Sequence, residues 1–297
     1  MKPLGIIVNP KANRGRAAII GEQVFEAFAK AGIAVINLSA ATASEARKKA
    51  EELIRLQEIS ALVAVGGDGT TQLCAGIAVP NQIPLGIVPA GSGNDQAREL
   101  NIDLTDIPAA VKNILDSLDS PKRVDAMKVS VSGKEIWSIG SISAGFDALC
   151  ATRANSLRWP KGSNSYIAAL LLELPSFKAI EYHLDVDGEK RVIEAMLCGV
   201  ANAKSFGGGM MISPNSDITD GQLEVFILHK VSRARLLRMF PTVYKGKHLR
   251  FPEVEIFKAK SIKISNDNYP VTCDGELVGN APFSTEVHPG ALRLLSR

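Results

Sequence analysis

No G-x-x-x-x-G-K-[ST] segment occurs in this chain of 297 residues, which excludes a Walker-type phosphate loop. Gly91-Ser92-Gly93 lacks the third glycine that a dinucleotide turn would place at Gln96, which argues against an ordinary dehydrogenase. The four cysteines, Cys74, Cys150, Cys198 and Cys273, are scattered, with no C-x-x-C and no histidine at ligand spacing. Buried free thiols in a reducing cytosol are the expectation. The longest uninterrupted apolar stretch, Ile167 to Leu172, is far shorter than the roughly 20 residues a bilayer span takes. Lys2-Pro3 leads straight into an apolar strand pattern with no signal-peptide character, so a cytoplasmic protein with peripheral access to membranes is expected. Net charge is only +3, which excludes a nucleic-acid footprint but leaves room for local basic patches. Internal repeats and low-complexity tracts are missing too.

The composition is that of a soluble globular protein, 46% hydrophobic and 22% charged, and the length suits two domains. Its most informative stretch is Val65-Gly66-Gly67-Asp68-Gly69-Thr70-Thr71, a short apolar strand running into glycines and then a helix. Gly66, Gly67 and Gly69 permit close backbone approach, and the helix N-terminus that follows favours bound phosphate. A carboxylate there would repel phosphates unless a divalent cation lay between, so Asp68 reads as a Mg2+ position; the alternative is a helix cap. Leu85-Gly86-Ile87-Val88-Pro89-Ala90-Gly91-Ser92-Gly93-Asn94-Asp95 repeats the strand, glycine turn and helix opening. Ile6-Ile7-Val8-Asn9-Pro10-Lys11-Ala12-Asn13-Arg14-Gly15-Arg16 is a third polar loop after a short strand. In a parallel sheet such loops gather beyond the carboxyl ends of the strands.

Apolar runs at 4–8, 33–38, 61–65 and 85–88 alternate with helical patterns at 16–31, 44–57, 70–78 and 106–118. That alternation predicts an α/β N-terminal domain, residues 1–123, with a doubly wound, mostly parallel sheet. Beyond Pro121-Lys122-Arg123 strand patterns dominate, at 124–131, 135–142, 178–186, 191–200, 222–228, 254–257, 261–264 and 271–273, with helical interruptions at 164–174 and 232–240. Ser132-Gly133 and Asp187-Gly188 read as hairpin turns. Residues 124–297 are therefore expected to form a β-rich, sandwich-like domain, with a cleft between the two.

Asn9-Pro10, Gly66-Gly67-Asp68-Gly69-Thr70, Pro89 to Asp95, Asp220-Gly221-Gln222-Leu223-Glu224-Val225 and Asp274-Gly275-Glu276 together resemble the ordered motif set of the diacylglycerol kinase and sphingosine kinase catalytic family, in its bacterial form. The resemblance runs along nearly the whole chain. It implies ATP-dependent phosphorylation of a lipid hydroxyl such as that of diacylglycerol, with ATP on the first domain and lipid on the second. Carried over by position, nucleotide contacts fall on Asn9, Pro10, Lys11, Ala12, Asn13, Thr42, Gly67, Asp68, Gly69, Thr70, Thr71, Gln72, Leu73 and Ser92. The catalytic base falls on Glu276, where a carboxylate can accept the proton of a primary alcohol. Without the family, Glu276 reads as a hairpin residue, and the second copy, Asp187-Gly188-Glu189, is assigned to a plain turn. A structural Mg2+ is implied at the Asp220 carboxylate and at main-chain oxygens near Asp217 and Gln222, and Asp125 matches a position that helps place the catalytic Mg2+ or is a strand-end charge.

The chain departs from the family pattern in three places. Ala12-Asn13 stands for Ser-Gly, a change Asn tolerates because it accepts positive φ. Gln72-Leu73 stands for Asn-Glu, which removes one carboxylate from near the nucleotide. Ser92 stands for Thr and keeps the hydroxyl. Two other readings remain open: a small-molecule kinase of the NAD type, and a catalytically weak nucleotide-binding regulator. Contact with an anionic membrane is expected through the segment 153–162, with Arg153, Arg158, Trp159 and Lys161, or through 232–240, with Arg235 and Arg238 opposite Leu237 and Phe240. The sequence names neither the lipid nor the oligomeric state, and a homodimer is left open.

Overall fold

The structure, a computed structural model, describes residues 2–157, 159, 163–176 and 178–296. The backbone divides into two compact units, residues 1–124 with 290–297, and residues 125–289. The first alternates strands and helices: β1 (Leu4–Val8), α1 (Arg16–Lys30), β2 (Val35–Asn37), α2 (Ala43–Arg55), β3 (Ala61–Gly66), α3 (Asp68–Asn81), β4 (Leu85–Pro89), α4 (Asp95–Glu99) and α5 (Ile107–Asp116). Its strands pair in parallel in the order β2-β1-β3-β4. Every residue of β1, β3 and β4 is buried, as a parallel strand covered on both faces requires. On α1, Ala17, Val24 and Phe28 form the buried stripe, while Gly21 lets the helix lie against Val8 of β1, which a Cβ would meet at 2.9 Å. Hydroxyl and carboxylate caps fix two helix starts: Thr42 accepts from the Glu45 N–H at 3.2 Å, and Asp106 accepts from the Ala109 N–H at 2.8 Å.

The second unit is built on β5 (Lys122–Val131), β6 (Lys134–Ser138), β7 (Ser141–Gly145), α6 (Phe146–Ser156), α7 (Ser163–Glu173), β8 (Ile180–Val186), β9 (Glu189–Ala201), β10 (Leu223–His229), α8 (Arg233–Val243), β11 (Val254–Ala259), β12 (Ser261–Ser265), β13 (Pro270–Cys273), β14 (Glu276–Asn280) and β15 (Phe283–Leu294). The long strand β9 serves two sets of neighbours. Its first half pairs with β8, and its second half lies between β7 and β10. Antiparallel pairing continues from β7 through β13 to β14, from β10 to β11, and from β8 to β12. Tyr182, Val200, Val225, Ile264 and Phe283 belong to the core these strands enclose.

Three differences from the sequence reading have local causes. The run 135–142 is two strands, because the Ser138 hydroxyl accepts from the Gly140 N–H at 3.0 Å and turns the chain between β6 and β7. Helix α6 was not foreseen: it buries Phe146, Asp147, Ala148, Cys150 and Ala151, so it shows no one-sided apolar stripe. Finally, the expected second domain, 124–297, loses its last residues. Gly290 onward belongs to the first unit, where Leu294 lies beside Leu85 and the Leu295 N–H donates to the Leu85 carbonyl at 2.8 Å.

Candidate active site

In-register pairing of β1, β3 and β4 sets Val8 beside Val65 and Gly66 beside Pro89, so the three polar loops leave the sheet side by side. The Asn9 N–H donates to the Val65 carbonyl at 3.0 Å and the Ala90 N–H to the Gly66 carbonyl at 2.7 Å, extending the ladder into the loops. Two glycine turns then press backbone on backbone. A Cβ on Gly91 would stand 2.4 Å from the Gly67 Cα, and one on Gly66 would stand 2.2 Å from the Thr70 hydroxyl. Asn94 fixes the second turn by accepting from the Gly91 N–H at 2.9 Å and donating to the Gly91 carbonyl at 3.0 Å. In the first loop Asn13 adopts φ +47°, so the Asn-for-Gly exchange keeps the turn, and the Asn9 side chain accepts from the Lys11 N–H at 3.2 Å.

Asn9, Pro10, Lys11, Asn13, Thr42, Gly69 and Ser92 are exposed, and Ala12, Gly67, Asp68, Gln72 and Leu73 are half-buried. Thr70 and Thr71 are buried, with the Thr71 hydroxyl donating to the Gly67 carbonyl at 3.3 Å. Asp68 does cap a helix, though not the one it opens: its Oδ1 accepts from the Gln96 N–H of α4 at 3.0 Å. Burial, then the neighbouring Asp95 carboxylate, raise the Asp68 pKa against the lowering effect of the α4 backbone N–H groups. Asp95 also pairs with Arg98 at 3.0 Å, so of the two carboxylates beside Gly93 it is Asp68 that would hold a divalent cation bound together with phosphates.

In the second unit Asp274 and Gly275 take φ +51° and +83°, the two left-handed positions of a tight turn joining β13 to β14, with Glu276 paired to Cys273. The turn is anchored from three sides. Asp274 accepts from the Ser138 hydroxyl at 2.7 Å and from the Ser141 N–H at 2.9 Å, and the Asn155 side chain donates to the Gly275 carbonyl at 2.9 Å. Glu276 stands exposed at its end, and the protein around its carboxyl raises its pKa above the ordinary value. At Asp187-Gly188 the same left-handed pair makes the β8–β9 hairpin, the plain turn expected there.

The loop expected to hold a structural Mg2+ is built differently from that expectation. Asp217 accepts from the Thr219 N–H at 2.9 Å and from the Thr219 hydroxyl at 2.6 Å, a local turn that lowers its pKa. Asp220 accepts from the Gln222 N–H at 3.0 Å through Oδ1 and from Lys258 Nζ at 2.6 Å through Oδ2. Lys258 lies directly across from Glu224 in the β10–β11 ladder, so an ammonium already supplies the positive charge. Among the described residues no three His, Cys, Asp or Glu gather as a metal cluster. A Mg2+ on the Asp220 carboxylate and on main-chain oxygens near Asp217 and Gln222 would have to take the place of Lys258 Nζ at Oδ2. Asp125 is buried and holds the same loop, accepting from the Gly221 N–H at 2.7 Å, which gives it a structural task that the sequence left undecided.

A cavity of about 80 Å³ lies in the second unit, walled by Phe146, Tyr166, Leu170, Phe206, Met239 and Phe240 among others. Polar atoms interrupt this lining at Asp147, His248, the Tyr166 hydroxyl and the Cys150 thiol. Asp147 is 5% exposed, and burial pushes its carboxyl up to about 6, with the Ser143 hydroxyl and the first N–H groups of α6 opposing. Sequence reasoning missed it, since one aspartate between Phe146 and Ala148 carries no pattern. All four cysteines are buried and free, with Cys74 pushed up to about 12 by burial.

The segments expected to meet a membrane look different in three dimensions. Arg158 and Lys161 lie outside the described residues. Arg153 pairs with Glu173 at 2.6 Å, and Arg235 pairs with Glu253 at 3.0 Å and covers the Phe251 ring. Leu237 is exposed beside Arg238, and Phe240 faces inward to stack on Tyr166. Also exposed nearby are the apolar side chains Ile167, Leu171 and Leu172 on α7, and Trp159, 82% exposed, between α6 and α7. No helix among the described residues is long and apolar enough to cross a membrane.

Comparison with known proteins places both units. Residues 3–129 match the family model of the diacylglycerol kinase catalytic domain, and residues 140–296 match that of the YegS C-terminal NAD kinase beta sandwich-like domain. The diacylglycerol kinase of Mycobacterium tuberculosis H37Rv is 32% identical over 292 residues, covering 97% of this chain and 93% of the relative. That of Bacillus subtilis 168 is 28% identical over 285 residues, covering 95% and 92%. In fold, the crystal structure of a diacylglycerol kinase from Bacillus anthracis superposes with a TM-score of 0.74 at 22% identity, covering 100% of this chain and 97% of that one. With both domains matched and a full-length relative at this identity, the chain belongs to the lipid-kinase family of diacylglycerol kinase catalytic domains.

Proposed function

We propose that the protein transfers the γ-phosphoryl group of ATP to the hydroxyl of a lipid of the diacylglycerol class. The observation that carries this reading is in the second unit: a carboxylate of raised pKa, Glu276, on an anchored hairpin, in the same unit as a cavity walled by hydrocarbon side chains. A substrate such as NAD would leave those walls unused, which favours the lipid over the small-molecule reading. Glu276 accepts the proton of the lipid hydroxyl as its oxygen bonds to the γ-phosphorus; the bond to the β–γ bridging oxygen breaks, and that electron pair leaves with ADP. A base with a raised pKa takes that proton more readily near neutral pH. On the first unit, the N–H groups and glycines of the three loops receive the phosphates, with Asn9 to Asn13, Thr42, Gly67 to Leu73 and Ser92 around them. Bound Mg2+, held by Asp68, would supply neutralising charge at the phosphates. The lipid is met at a membrane surface, from the cytoplasmic side.

Radiolabelled ATP offered with diacylglycerol, sphingosine, undecaprenol, phosphatidylglycerol and NAD is expected to label a lipid and not NAD. Glu276→Gln should lower kcat by about 10²–10⁴-fold with ATP affinity nearly unchanged. Near-normal turnover of that variant at saturating lipid removes the general-base role, and label only in NAD removes the lipid.

A further inference from the structure

Strands β5, β12 and β15 bury one face and leave the other polar. Val129, Val131, Ile262, Ile264 and Phe283 belong to the core, so the alternation of a strand turns Ser130, Lys263 and Ser284 outward. Lys263 stands directly across from Ser284 in the β12–β15 ladder. These three residues line one side of a groove of about 820 Å³, whose other walls are the β5–β6 turn and the junction of β14 with β15. Ser132 ties those two walls together, its hydroxyl accepting from the Asn280 N–H at 3.3 Å. Lys134, Asn268 and Asn280 add to the polar lining. Positive charge is left over here. Glu135, the one carboxylate of the lining, is held by Lys128 at 2.7 Å, whereas Lys134 and Lys263 have no ion-pair partner among the described residues. Asp185 stands across from Lys263 on β8, but its carboxylate accepts from the Gly188 N–H at 3.1 Å. Two unpaired ammonium groups bring three donors each, and hydroxyl and amide side chains bring more, a set that matches the several acceptor oxygens of a phosphate. The volume is that of a site for a whole small molecule rather than a lone ion.

We propose that this groove binds a phosphorylated polyol, with Lys134 and Lys263 holding the phosphate and Ser130, Ser284, Asn268 and Asn280 meeting the hydroxyls. The site is separate from the apolar cavity and from the glycine loops of the first unit, and it does not rest on the kinase reading. Gly279 and Asn280, which line it, end the strand that Glu276 begins, so a bound molecule touches the element carrying the proposed base. The same chemistry is found on a soluble sugar phosphate and on a phosphoglycerol lipid headgroup.

Calorimetric titration of the whole protein with glucose 6-phosphate, glucose and phosphatidylglycerol vesicles tests this, in the presence of Mg2+ and excess non-hydrolysable ATP analogue so that the glycine loops do not compete for phosphate. Glucose 6-phosphate is expected to bind about tenfold or more tightly than glucose, the scale of a hydrogen bond to a charged group. Lys134→Met and Lys263→Met should each weaken it by about tenfold, and Lys178→Met, an exposed lysine outside the groove, should not. Methionine keeps the unbranched stem, and both groove lysines are exposed, so the variants should melt with the parent. Hydrogen exchange should slow on binding at residues 130–134 and 279–284. Lysine-dependent binding of glucose 6-phosphate assigns a soluble ligand; lysine-dependent binding of the vesicles alone assigns a headgroup, and either keeps the site. Equal binding of glucose and its phosphate without lysine-dependent vesicle binding, undiminished binding in both lysine variants, or protection only outside the two segments overturns the proposal. A protein that binds glucose 6-phosphate through both lysines but phosphorylates no lipid keeps this site and loses the kinase reading; a lipid kinase whose groove stays empty does the reverse.

Discussion

Asp147→Asn should make the protein more stable at neutral pH and leave it unchanged in acid. The carboxyl is pushed from 3.8 in the open chain up to about 6 in the fold, chiefly by burial. A tenfold change in proton affinity corresponds to about 1.4 kcal/mol, so ionised Asp147 costs the native state about 3 kcal/mol. A group whose folded pKa is raised leaves stability intact below the unfolded value and loses it as pH rises through the folded one. The cost is therefore absent below about pH 4, grows between about pH 4 and 6, and is complete above about pH 7. The Ser143 hydroxyl and the first N–H groups of α6 offset only part of that cost, and no opposite charge offsets the rest. Cys150, Tyr166, Tyr182 and Cys198 are acids whose own pKa values its charge raises, and the nearest basic group lining the cavity, His248, is held neutral. Asparagine has the same shape and no charge.

Thermal melts of parent and variant across that range should diverge from near coincidence in acid to a gap of roughly 6–12 °C at pH 8, at the usual 2–4 °C per kcal/mol for a unit of this size. A gap independent of pH, or a variant that melts lower at pH 8, would refute the reasoning by showing that Asp147 is stabilised by a partner. If the gap appears, the wild-type chain keeps a destabilising charge, which is the pattern of a residue retained for function.

Gly91→Ala should weaken ATP binding tenfold or more, since its Cβ would stand 2.4 Å from the Gly67 Cα and force the two loops apart at about 1–3 kcal/mol; unchanged affinity by calorimetry would show that the loops need not touch. Without nucleotide, Mg2+ should leave the parent's melting temperature unmoved, whereas Lys258→Met, which frees Asp220, should become Mg2+-stabilised; an Asp220-dependent Mg2+ effect in the parent would restore the structural metal site. Vesicle binding should persist on neutral lipid and at high salt, because Arg153 and Arg235 are already paired while Leu171 and Leu172 are exposed. Sedimentation of a Leu171→Gln, Leu172→Gln variant should fall sharply, and binding that requires anionic lipid would return the weight to charge.

The first unit was legible because each of its strands is a short apolar run and each loop carries glycines whose crowding the structure confirms, as at Gly66, Gly67 and Gly91. The second unit was harder. Strand β14, Glu276–Asn280, is exposed or half-buried throughout and has no apolar alternation, and the first half of α6 is buried around its circumference. Asp147 and Lys258 were out of reach for a different reason. The meaning of each is set by residues distant in sequence, Lys258 lying 38 positions from Asp220, and no local pattern encodes a long-range pair. Arg153 and Arg235 show the same limit, since their acidic partners, Glu173 and Glu253, lie 20 and 18 positions away.

The two Asp-Gly-Glu segments separate what a turn encodes from what a site encodes. Both place Asp and Gly in the left-handed region, with φ +50° and +93° at Asp187-Gly188 and +51° and +83° at Asp274-Gly275, so turn chemistry alone accounts for those two residues in each. Their aspartates even do the same kind of work. Asp187 accepts from the N–H groups of Lys260 and Ser261, which lowers its pKa, and Asp274 accepts from Ser138 and Ser141. The difference begins at the glutamate. Glu189 stands exposed at the start of a strand that faces other charged groups, whereas Glu276 follows a turn that Asn155 of α6 also grips, and α6 is the helix that carries Asp147 to the cavity. The order of motifs along the chain picks out the second copy without saying why; the physical reason is that only there does the element fixing the turn also form a wall of the apolar cavity.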